Sequence, residues 1–330
     1  MKAMVLKELG SPLVYSIVAD PVPNEHQVLL RVLSCGVCRT DLHIVDGDLM
    51  DHKPALIPGH EIVGEVIATG CNARHFSVGD RVGVPWLGWS CGECYFCQTE
   101  RENLCEKAKF TGYQIDGGFA EFTVADERYC FLIDEYYSNV AAAPLLCAGM
   151  IGYRALKLSD DGHKLGIYGF GAAAHIVAQL AINEGSEVYA FTKEGDIVAQ
   201  NFAREIGAVW AGASTLPAPS LLDAALIFAP VGALVPMALK AVAHGGAVVC
   251  AGIHMSDIPS MPYSLLWGER ILRSVANIRR IDGLEFMALA AKTPIKTYTV
   301  PYPLSQANQA LADLRAGNLS GAAVLVPSMG

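Results

Sequence analysis

The chain has 330 residues, of which 52% are hydrophobic and 17% are charged, and its formal net charge is −9. A chain of this length exceeds the usual size of a single hydrophobic core, so two domains are expected. The balance of 24 basic against 33 acidic residues, without a Lys/Arg cluster, argues against nucleic acid as a partner. No apolar run approaches the length of a membrane span and no secretory signal is visible, so we expect a cytoplasmic protein that does not bind membranes.

The first part of the chain has the pattern of an irregular β domain. Short β-type runs fill residues 1 to about 35 and are broken by Pro12, Pro21 and Pro23. Further strands are predicted at residues 62–68 and 81–84.

A candidate metal site begins within this domain. Cys38 and His60 lie on either side of an acidic loop that is rich in Gly and Pro. A catalytic zinc ion needs about three protein ligands and one open position. The best third candidate is Cys147, which lies inside an alanine-rich, helix-like run from 141 to 156.

The most specific local signal is a lobe at residues 86–110 that contains four closely spaced cysteines. They are Cys91, Cys94, Cys97 and Cys105, with the spacing C-x2-C-x2-C-x7-C. Four thiolates at this spacing predict a closed, structural zinc site that would help the lobe to fold. Seven of the ten cysteines therefore have metal-ligand spacing, which favours zinc over disulfides in a chain without a secretory signal.

From about residue 160 onward, β and α patterns alternate. Strands are predicted at 165–168, 187–191, 208–210, 224–228, 247–250 and 271–276, and helices at 172–184, 197–206, 233–242 and 283–292. Six strands with this alternation indicate a doubly wound parallel sheet. The tail lacks the alternation and is expected to return to the first domain. The predicted boundaries are 1–150 with 290–330 for the β-rich domain and 151–289 for the second domain.

A glycine-rich loop lies between the first strand and helix of the second domain. Gly169, Gly171, Ala172 and Ala173 lie in a G-x-G-x-x-A pattern, which lets a backbone approach a pyrophosphate. Its place between a strand and a helix predicts dinucleotide binding. The alternative is a tight turn without a ligand.

The end of the second strand of this domain suggests which dinucleotide is bound. NAD-binding versions usually carry Asp or Glu here, but this chain has Thr192 followed by Lys193. A lysine attracts a 2′-phosphate, so NADP is favoured over NAD. Alternatively, Lys193 is solvated and Glu194 or Asp196 accepts the ribose.

Together these motifs resemble the zinc-dependent alcohol dehydrogenases of the medium-chain dehydrogenase/reductase superfamily. The resemblance rests on Cys-Gly-Val-Cys-Arg-Thr-Asp-Leu-His, Gly-His-Glu, the four-cysteine lobe, Leu-Leu-Cys-Ala-Gly and Gly-Phe-Gly, in that order. It implies an α/β protein with a GroES-like catalytic domain and a Rossmann domain. It also implies two zinc ions per subunit and a homodimer or homotetramer.

The resemblance also implies roles for single residues. Cys38, His60 and Cys147 would bind the catalytic zinc, with Glu61 as a nearby carboxylate and Asp41 as the partner that orients the histidine. Thr40 would bond the substrate oxygen. The remaining candidates are Arg39, Arg279 and Ile253 for the cofactor and Trp86 and Met50 for the substrate pocket.

One departure concerns the proton relay. Ethanol-type members have a histidine eight residues after the first ligand cysteine, where this chain has Asp46. Cinnamyl-type members use the histidine five residues after that cysteine, which here is His43. His43 is the favoured relay residue, and a purely structural histidine is the alternative.

The expected activity is reversible hydride transfer between an alcohol and NAD(P), with zinc as the Lewis acid and small alcohols or aldehydes as substrates. Two other functions remain open. One is a cofactor-binding scaffold without catalysis, and the other is a zinc-independent quinone or enoyl reductase on the same fold.

Overall fold

A computed structural model describes residues 1–49, 51–160, 162–319 and 321–329. The chain divides into two compact units, Met1–Cys147 with Asn277–Gly330, and Ala148–Ala276. The predicted domain boundary at 289/290 falls inside a helix, Arg280–Lys292, and the contacts divide the chain before that helix.

The strands and helices are numbered along the chain. The strands are β1 Lys2–Val5, β2 Val14–Ile17, β3 Gln27–Val37, β4 Glu61–Thr69, β5 Arg81–Val84, β6 Leu87–Trp89, β7 Lys109–Phe110, β8 Phe122–Asp126, β9 Phe131–Leu132, β10 Lys164–Tyr168, β11 Glu187–Thr192, β12 Trp210–Ala213, β13 Leu222–Ile227, β14 Val242–Cys250, β15 Ile271–Ser274, β16 Thr299–Pro303 and β17 Ala322–Val326. The helices are α1 Arg39–Asp46, α2 Tyr95–Gln98, α3 Asn139–Ala142, α4 Ala148–Lys157, α5 Ala172–Asn183, α6 Ile197–Ile206, α7 Leu234–Ala241, α8 Arg280–Lys292 and α9 Ala307–Ala316.

The first unit is built on a largely antiparallel sheet. Its described strands run in the order β16-β17-β3-β4-β5-β9, and β8 also pairs with β3. The long strand β3 is central: β17 pairs with its end and β8 with its beginning, while β4 follows nearly its whole length. The C-terminal strands β16 and β17 therefore belong to this sheet.

The second unit contains a parallel sheet with the described strands in the order β12-β11-β10-β13-β14-β15. Its central strands are apolar and buried, as β13 shows from Ala224 to Ile227. Continuous burial is expected for parallel strands, because helices cover both faces of such sheets. The predicted α/β class and six-stranded parallel sheet are confirmed, although β12 begins at Trp210 rather than at residue 208.

One predicted helix is interrupted. The run from 141 to 156 reads as a single helix in sequence, but the structure has α3, a 3-10 turn at Ala143–Leu146 and then α4. Cys147 lies at the break, with φ −123° and ψ −71°. The prediction of one continuous helix was wrong, and the interruption sets the direction of the Cys147 side chain.

Among the described residues, no single helix has both the length and the apolar character that crossing a membrane requires. One bent pair, Asn139–Leu146 with Ala148–Lys157, passes that test on length and composition alone.

Candidate active site

The end of β3 and the start of β4 bring Cys38 and His60 together. The strands pair with Gly36 opposite Glu61, so the residue after β3 lies beside the residue before β4. Cys38 occupies the N-cap position of α1 in an extended conformation. The chain turns toward His60 at Gly59, whose φ of +97° favours glycine.

Cys147 reaches the same place from the buried 3-10 turn that precedes it. Leu145 and Leu146 of this turn are almost fully buried. The side chain of Leu146 packs against Gly83 of β5, where an added Cβ would collide with it. This packing fixes the turn against the sheet, so Cys147 joins the site although it lies 109 residues from Cys38.

The donor atoms of Cys38, His60, Glu61 and Cys147 all lie within 4.8 Å of one another. The two sulfur atoms are 3.8 Å apart, and two sulfurs bound at about 2.3 Å to one tetrahedral zinc ion would be about 3.8 Å apart. The Nε2 atom of His60 is buried and lacks a hydrogen-bond partner among the described residues. A buried ring nitrogen without a hydrogen-bond partner is costly, and a metal bond would compensate for it. The donor set therefore fits a zinc ion.

Asp41 contacts the two candidate ligands Cys38 and His60 through its carboxylate. Its side chain is fully buried and accepts hydrogen bonds from the backbone N–H groups of Cys38, at 2.8 Å, and Gly59, at 3.2 Å. Its Oδ1 atom also lies 3.3 Å from Nδ1 of His60. A carboxylate in this position orients the imidazole and leaves the other ring nitrogen for a metal.

Burial and neighbouring charges shift the acidities at this site. Burial alone would lower the pKa of His60, but the charge of Asp41 and its contact with the ring raise that pKa well above the ordinary value. Contact with Cys147 lowers the pKa of Cys38 well below the ordinary value, against the effect of burial. Burial and the charge of Cys38 raise the pKa of Glu61. Cys38 is thus the first thiol of the pair to ionise, as a metal ligand must.

Thr40 and the two candidates for the next relay residue, His43 and Asp46, have different surroundings. Thr40 is buried in α1, and its Oγ1 lies 3.8 Å from Sγ of Cys38. His43 follows one turn later and contacts Asp48 through Nδ1 at 2.8 Å. Asp46 instead forms two hydrogen bonds with Arg315, at 2.6 and 2.7 Å. Both candidates are therefore paired with another side chain, Asp46 with Arg315 and His43 with Asp48.

Trp86 lies beside His60, one of the candidate metal ligands. The edge of its ring meets His60 at a centroid distance of 5.0 Å. Phe110 and Tyr113 stack on it at 5.2 and 5.7 Å. Sequence analysis did not identify Phe110, because it lies outside every ligand motif. Met50, the other predicted pocket residue, lies outside the described residues.

The four-cysteine lobe also has the geometry of a metal site. The sulfurs of Cys91, Cys94, Cys97 and Cys105 lie within 4.8 Å of one another. Cys91 is 3.9 Å from Cys97 and 3.6 Å from Cys105. Backbone N–H groups of Glu93 and Cys94 lower the pKa of Cys91 to about 6. Four sulfurs at these distances fit a closed tetrahedral zinc site.

In the second unit, the glycine loop joins β10 to α5. Gly169 has φ +87°, and a Cβ there would meet the backbone of Ala229. Gly171 differs, because a Cβ added to it would meet nothing within 4 Å. Ala172 is exposed and Ala173 is half-buried at the start of α5. The open space at Gly171 fits the approach of a pyrophosphate to the helix N-terminus.

The residues predicted to select the dinucleotide lie at the end of β11. The Thr192 side chain is buried, and its hydroxyl accepts a hydrogen bond from Gln200 at 3.0 Å and lies near the carbonyl of Lys193. Lys193 itself is exposed. Asp196 caps α6 by accepting a hydrogen bond from the N–H of Ala199. Lys193 and Glu194 are thus exposed charged groups at this strand end. The Thr192 hydroxyl, in contrast, is buried and bonded to Gln200.

The remaining predicted cofactor residues are spread over both units. Arg39 is the exposed first residue of α1, and Ile253 is exposed in the loop after β14. Arg279 precedes α8 and forms an ion pair with Asp282 at 2.7 Å.

Comparisons with known proteins agree with this fold and site. Residues 24–135 match the family model described as the alcohol dehydrogenase GroES-like domain. A probable alcohol dehydrogenase, AdhA, of Mycobacterium tuberculosis is 45% identical over 314 residues, covering 93% of this chain and 90% of the relative. An alcohol dehydrogenase of Moraxella sp. is 35% identical and covers 98% of this chain and 99% of the relative.

Among solved structures, cinnamyl alcohol dehydrogenase of Sorghum bicolor is similar to this chain with a TM-score of 0.90. It is 23% identical, and the match covers 100% of this chain and 98% of the other.

The fold and the donor sets define the medium-chain dehydrogenase/reductase class, with a GroES-like domain and a Rossmann domain. Within that class, the chain belongs to the zinc-dependent alcohol dehydrogenase family.

Proposed function

We propose that this protein catalyses reversible hydride transfer between a small alcohol or aldehyde and NAD(P). The observation that carries the proposal is the cluster of Cys38, His60 and Cys147, in which the buried Nε2 atom of His60 has no hydrogen-bond partner among the described residues. This donor set matches a catalytic zinc site with three protein ligands and an open position. A scaffold that only binds a cofactor has no need of such a site.

The proposed roles of the residues follow from their positions. A zinc ion held by Cys38, His60 and Cys147 would supply Lewis acidity, and a bound dinucleotide would accept or donate the hydride. Asp41 orients His60, and Glu61 places a further carboxylate beside the donors. Thr40 bonds the substrate oxygen and accepts the hydroxyl proton while its own hydroxyl proton passes on toward His43. Trp86 limits the space next to His60 and excludes water.

For the cofactor, we propose binding at the loop of Gly169 and Gly171, with Ala172 and Ala173 at the start of α5. Arg39, Arg279 and Ile253 complete the proposed contacts. NADP is favoured over NAD, because Lys193 is an exposed cation at the end of β11. A second, structural zinc ion per subunit would be held by Cys91, Cys94, Cys97 and Cys105. A homodimer or homotetramer is proposed from the family resemblance alone, and a cytoplasmic location is proposed from the sequence, in which no secretory signal is visible.

The test combines metal content with initial rates of aldehyde reduction by NADPH and NADH. The wild-type protein should contain two zinc equivalents and prefer NADPH. Cys147→Ser should lose one equivalent, and its rate should fall by more than the roughly 100-fold expected for losing a partner of a ligand. Cys71→Ser, at an exposed cysteine outside both clusters, is the matched control.

The alternatives give other results. A scaffold would bind NADPH without oxidising it in the presence of any aldehyde. A quinone or enoyl reductase would keep its activity in Cys147→Ser. An NADH preference would contradict the role given to Lys193.

A further inference from the structure

The four-cysteine lobe touches the start of α8. Oε1 of Glu102, in the 3-10 turn Glu102–Leu104, accepts a hydrogen bond of 2.6 Å from the backbone N–H of Arg280. The two residues are 178 positions apart in sequence. Arg280 is the first residue of α8, where amide groups have no acceptor within the helix. A carboxylate at this end is also stabilised by the helix dipole. Glu102 therefore caps α8 from a distant part of the chain.

The position of Glu102 depends on the cysteine cluster. Glu102 lies between Cys97 and Cys105, and its carbonyl accepts a hydrogen bond of 3.1 Å from the N–H of Cys105. The neighbouring helix α2 has no buried residue, so the lobe has little apolar core to hold its shape. Cys105 directly follows this turn and lies only 3.6 Å from Cys91, so a metal ion bound by the four sulfurs would hold the turn in place.

The start of α8 in turn fixes the guanidinium group of Arg279. Nη2 and Nε of Arg279 donate to the two carboxylate oxygens of Asp282 at 2.7 and 3.1 Å. The backbone N–H of Arg279 also donates to Asp282, at 2.9 Å. Asp282 is fully buried in the first turn of α8. The direction of the Arg279 side chain is therefore set by the position of that turn.

We propose that Glu102 is a positioning residue through which the four-cysteine lobe holds Arg279 ready for a phosphate group of the dinucleotide. This inference rests on the proposed function, which assigns a phosphate contact to Arg279. Hydrogen bonds between a guanidinium group and a phosphate depend on geometry, so a small displacement of the helix start weakens them. The lobe then contributes to cofactor affinity as well as to stability.

The test compares Glu102→Ala with Glu106→Ala, which removes an exposed carboxylate from the same lobe. Glu102→Ala should raise the Kd and KM for NADP(H) by roughly two- to tenfold, as expected for losing a helix cap. Its kcat at saturating cofactor and its zinc content should stay at wild-type values, and Glu106→Ala should change none of these quantities. Glu102→Gln keeps an acceptor for the Arg280 N–H and should recover most of the affinity.

A double-variant cycle tests whether the effect passes through Arg279. In an Arg279→Ala background, Glu102→Ala should cause no further loss of NADP(H) affinity. Additive losses, an unchanged Kd in Glu102→Ala, or a loss of zinc from that variant would each overturn the proposal. A failure of the proposed function looks different, because the wild-type protein would then not bind or turn over the dinucleotide. An Arg279→Ala variant with wild-type affinity would overturn the contact assigned to Arg279, and with it the role of Glu102.

Discussion

One side chain at the proposed metal site has several partners at once. Asp41 accepts hydrogen bonds from the N–H groups of Cys38 and Gly59 and lies 3.3 Å from the His60 ring. The buried carboxylate of Asp41 thus connects the backbone of Cys38, the backbone of Gly59 and the ring of His60. Because Asp41 contacts all of these groups, the side chains of Cys38 and His60 have little freedom to move although they lie at the two ends of a loop.

A residue of the dinucleotide loop provides a direct test of cofactor binding. Gly171→Ala should fold like the wild type, since the added Cβ would meet no protein atom within 4 Å. It should nevertheless lose most of its affinity for NADP(H), because the methyl group would occupy the space that a pyrophosphate needs. Thermal unfolding and fluorescence titration measure the two effects separately.

The neighbouring glycine serves as the contrast. Gly169→Ala should itself be destabilised, because φ is +87° there and the new Cβ would press on Ala229. Undiminished NADP(H) affinity in Gly171→Ala would show that this loop does not approach the phosphates.

At the residue scale, the sequence was informative where ligands lie in local motifs. The spacing of Cys91 to Cys105 and the pair Cys38 and His60 predicted sets of donors that the structure brings together. Contacts between distant residues could not be predicted this way. Asp46 and Arg315 are 269 residues apart, and their pairing depends on the packing of α1 and α9.

Among the elements, α5 contains a titratable group that no proposed role uses. His175 is 2% exposed and packs near Phe202, with a ring-centroid distance of 5.8 Å. Burial lowers its pKa to about 4. The folded state therefore favours the neutral ring, whereas the unfolded chain binds a proton as the pH falls below about 6.5.

This difference predicts a pH dependence of stability. The contribution of the neutral His175 ring to the free energy of unfolding is fully present above about pH 6.5. As the pH falls toward about 4, the free energy of unfolding decreases by up to about 3 kcal/mol, because the unfolded chain binds the proton more readily. His175→Gln should remove this part of the pH dependence, as measured by urea unfolding between pH 7 and 4. His163→Gln, at an exposed histidine of the same unit, should leave it unchanged. An equal slope in His175→Gln and wild type would contradict the assignment.

Element boundaries were predicted less well than element types. The alanine-rich composition from 141 to 156 favours a helix throughout. In the structure, Pro144 lies in a 3-10 turn and the packing of Leu146 on Gly83 competes with helix continuation. Tertiary packing outweighed local propensity at Cys147, which is the third proposed zinc ligand.

At the scale of the whole molecule, the two units differ in how the chain builds them. The second unit is one continuous segment, 148–276, with its own buried cluster around Tyr168, Phe191 and Val235. The first unit needs two segments, because β17 pairs with the end of β3. In that pairing Val324 lies opposite Gly36, two residues before Cys38.

Separated fragments should therefore behave differently. Segment 148–276 should fold alone and bind NADP(H), as circular dichroism and fluorescence titration can measure. Segment 1–147 should hold one zinc equivalent, in the four-cysteine lobe, and should gain a second only when segment 277–330 is added. Two equivalents in segment 1–147 alone would contradict the dependence of the catalytic site on β17.

The same pairing has a consequence for synthesis on the ribosome. When residue 147 leaves the exit tunnel, every proposed ligand of the catalytic zinc has been made, but the strand that supports Cys38 has not. The Rossmann unit, which is translated next, can fold while the β domain is still open at that edge. We therefore expect the proposed catalytic metal to bind only after β17 has been made and has left the exit tunnel, when the Rossmann unit can already be folded.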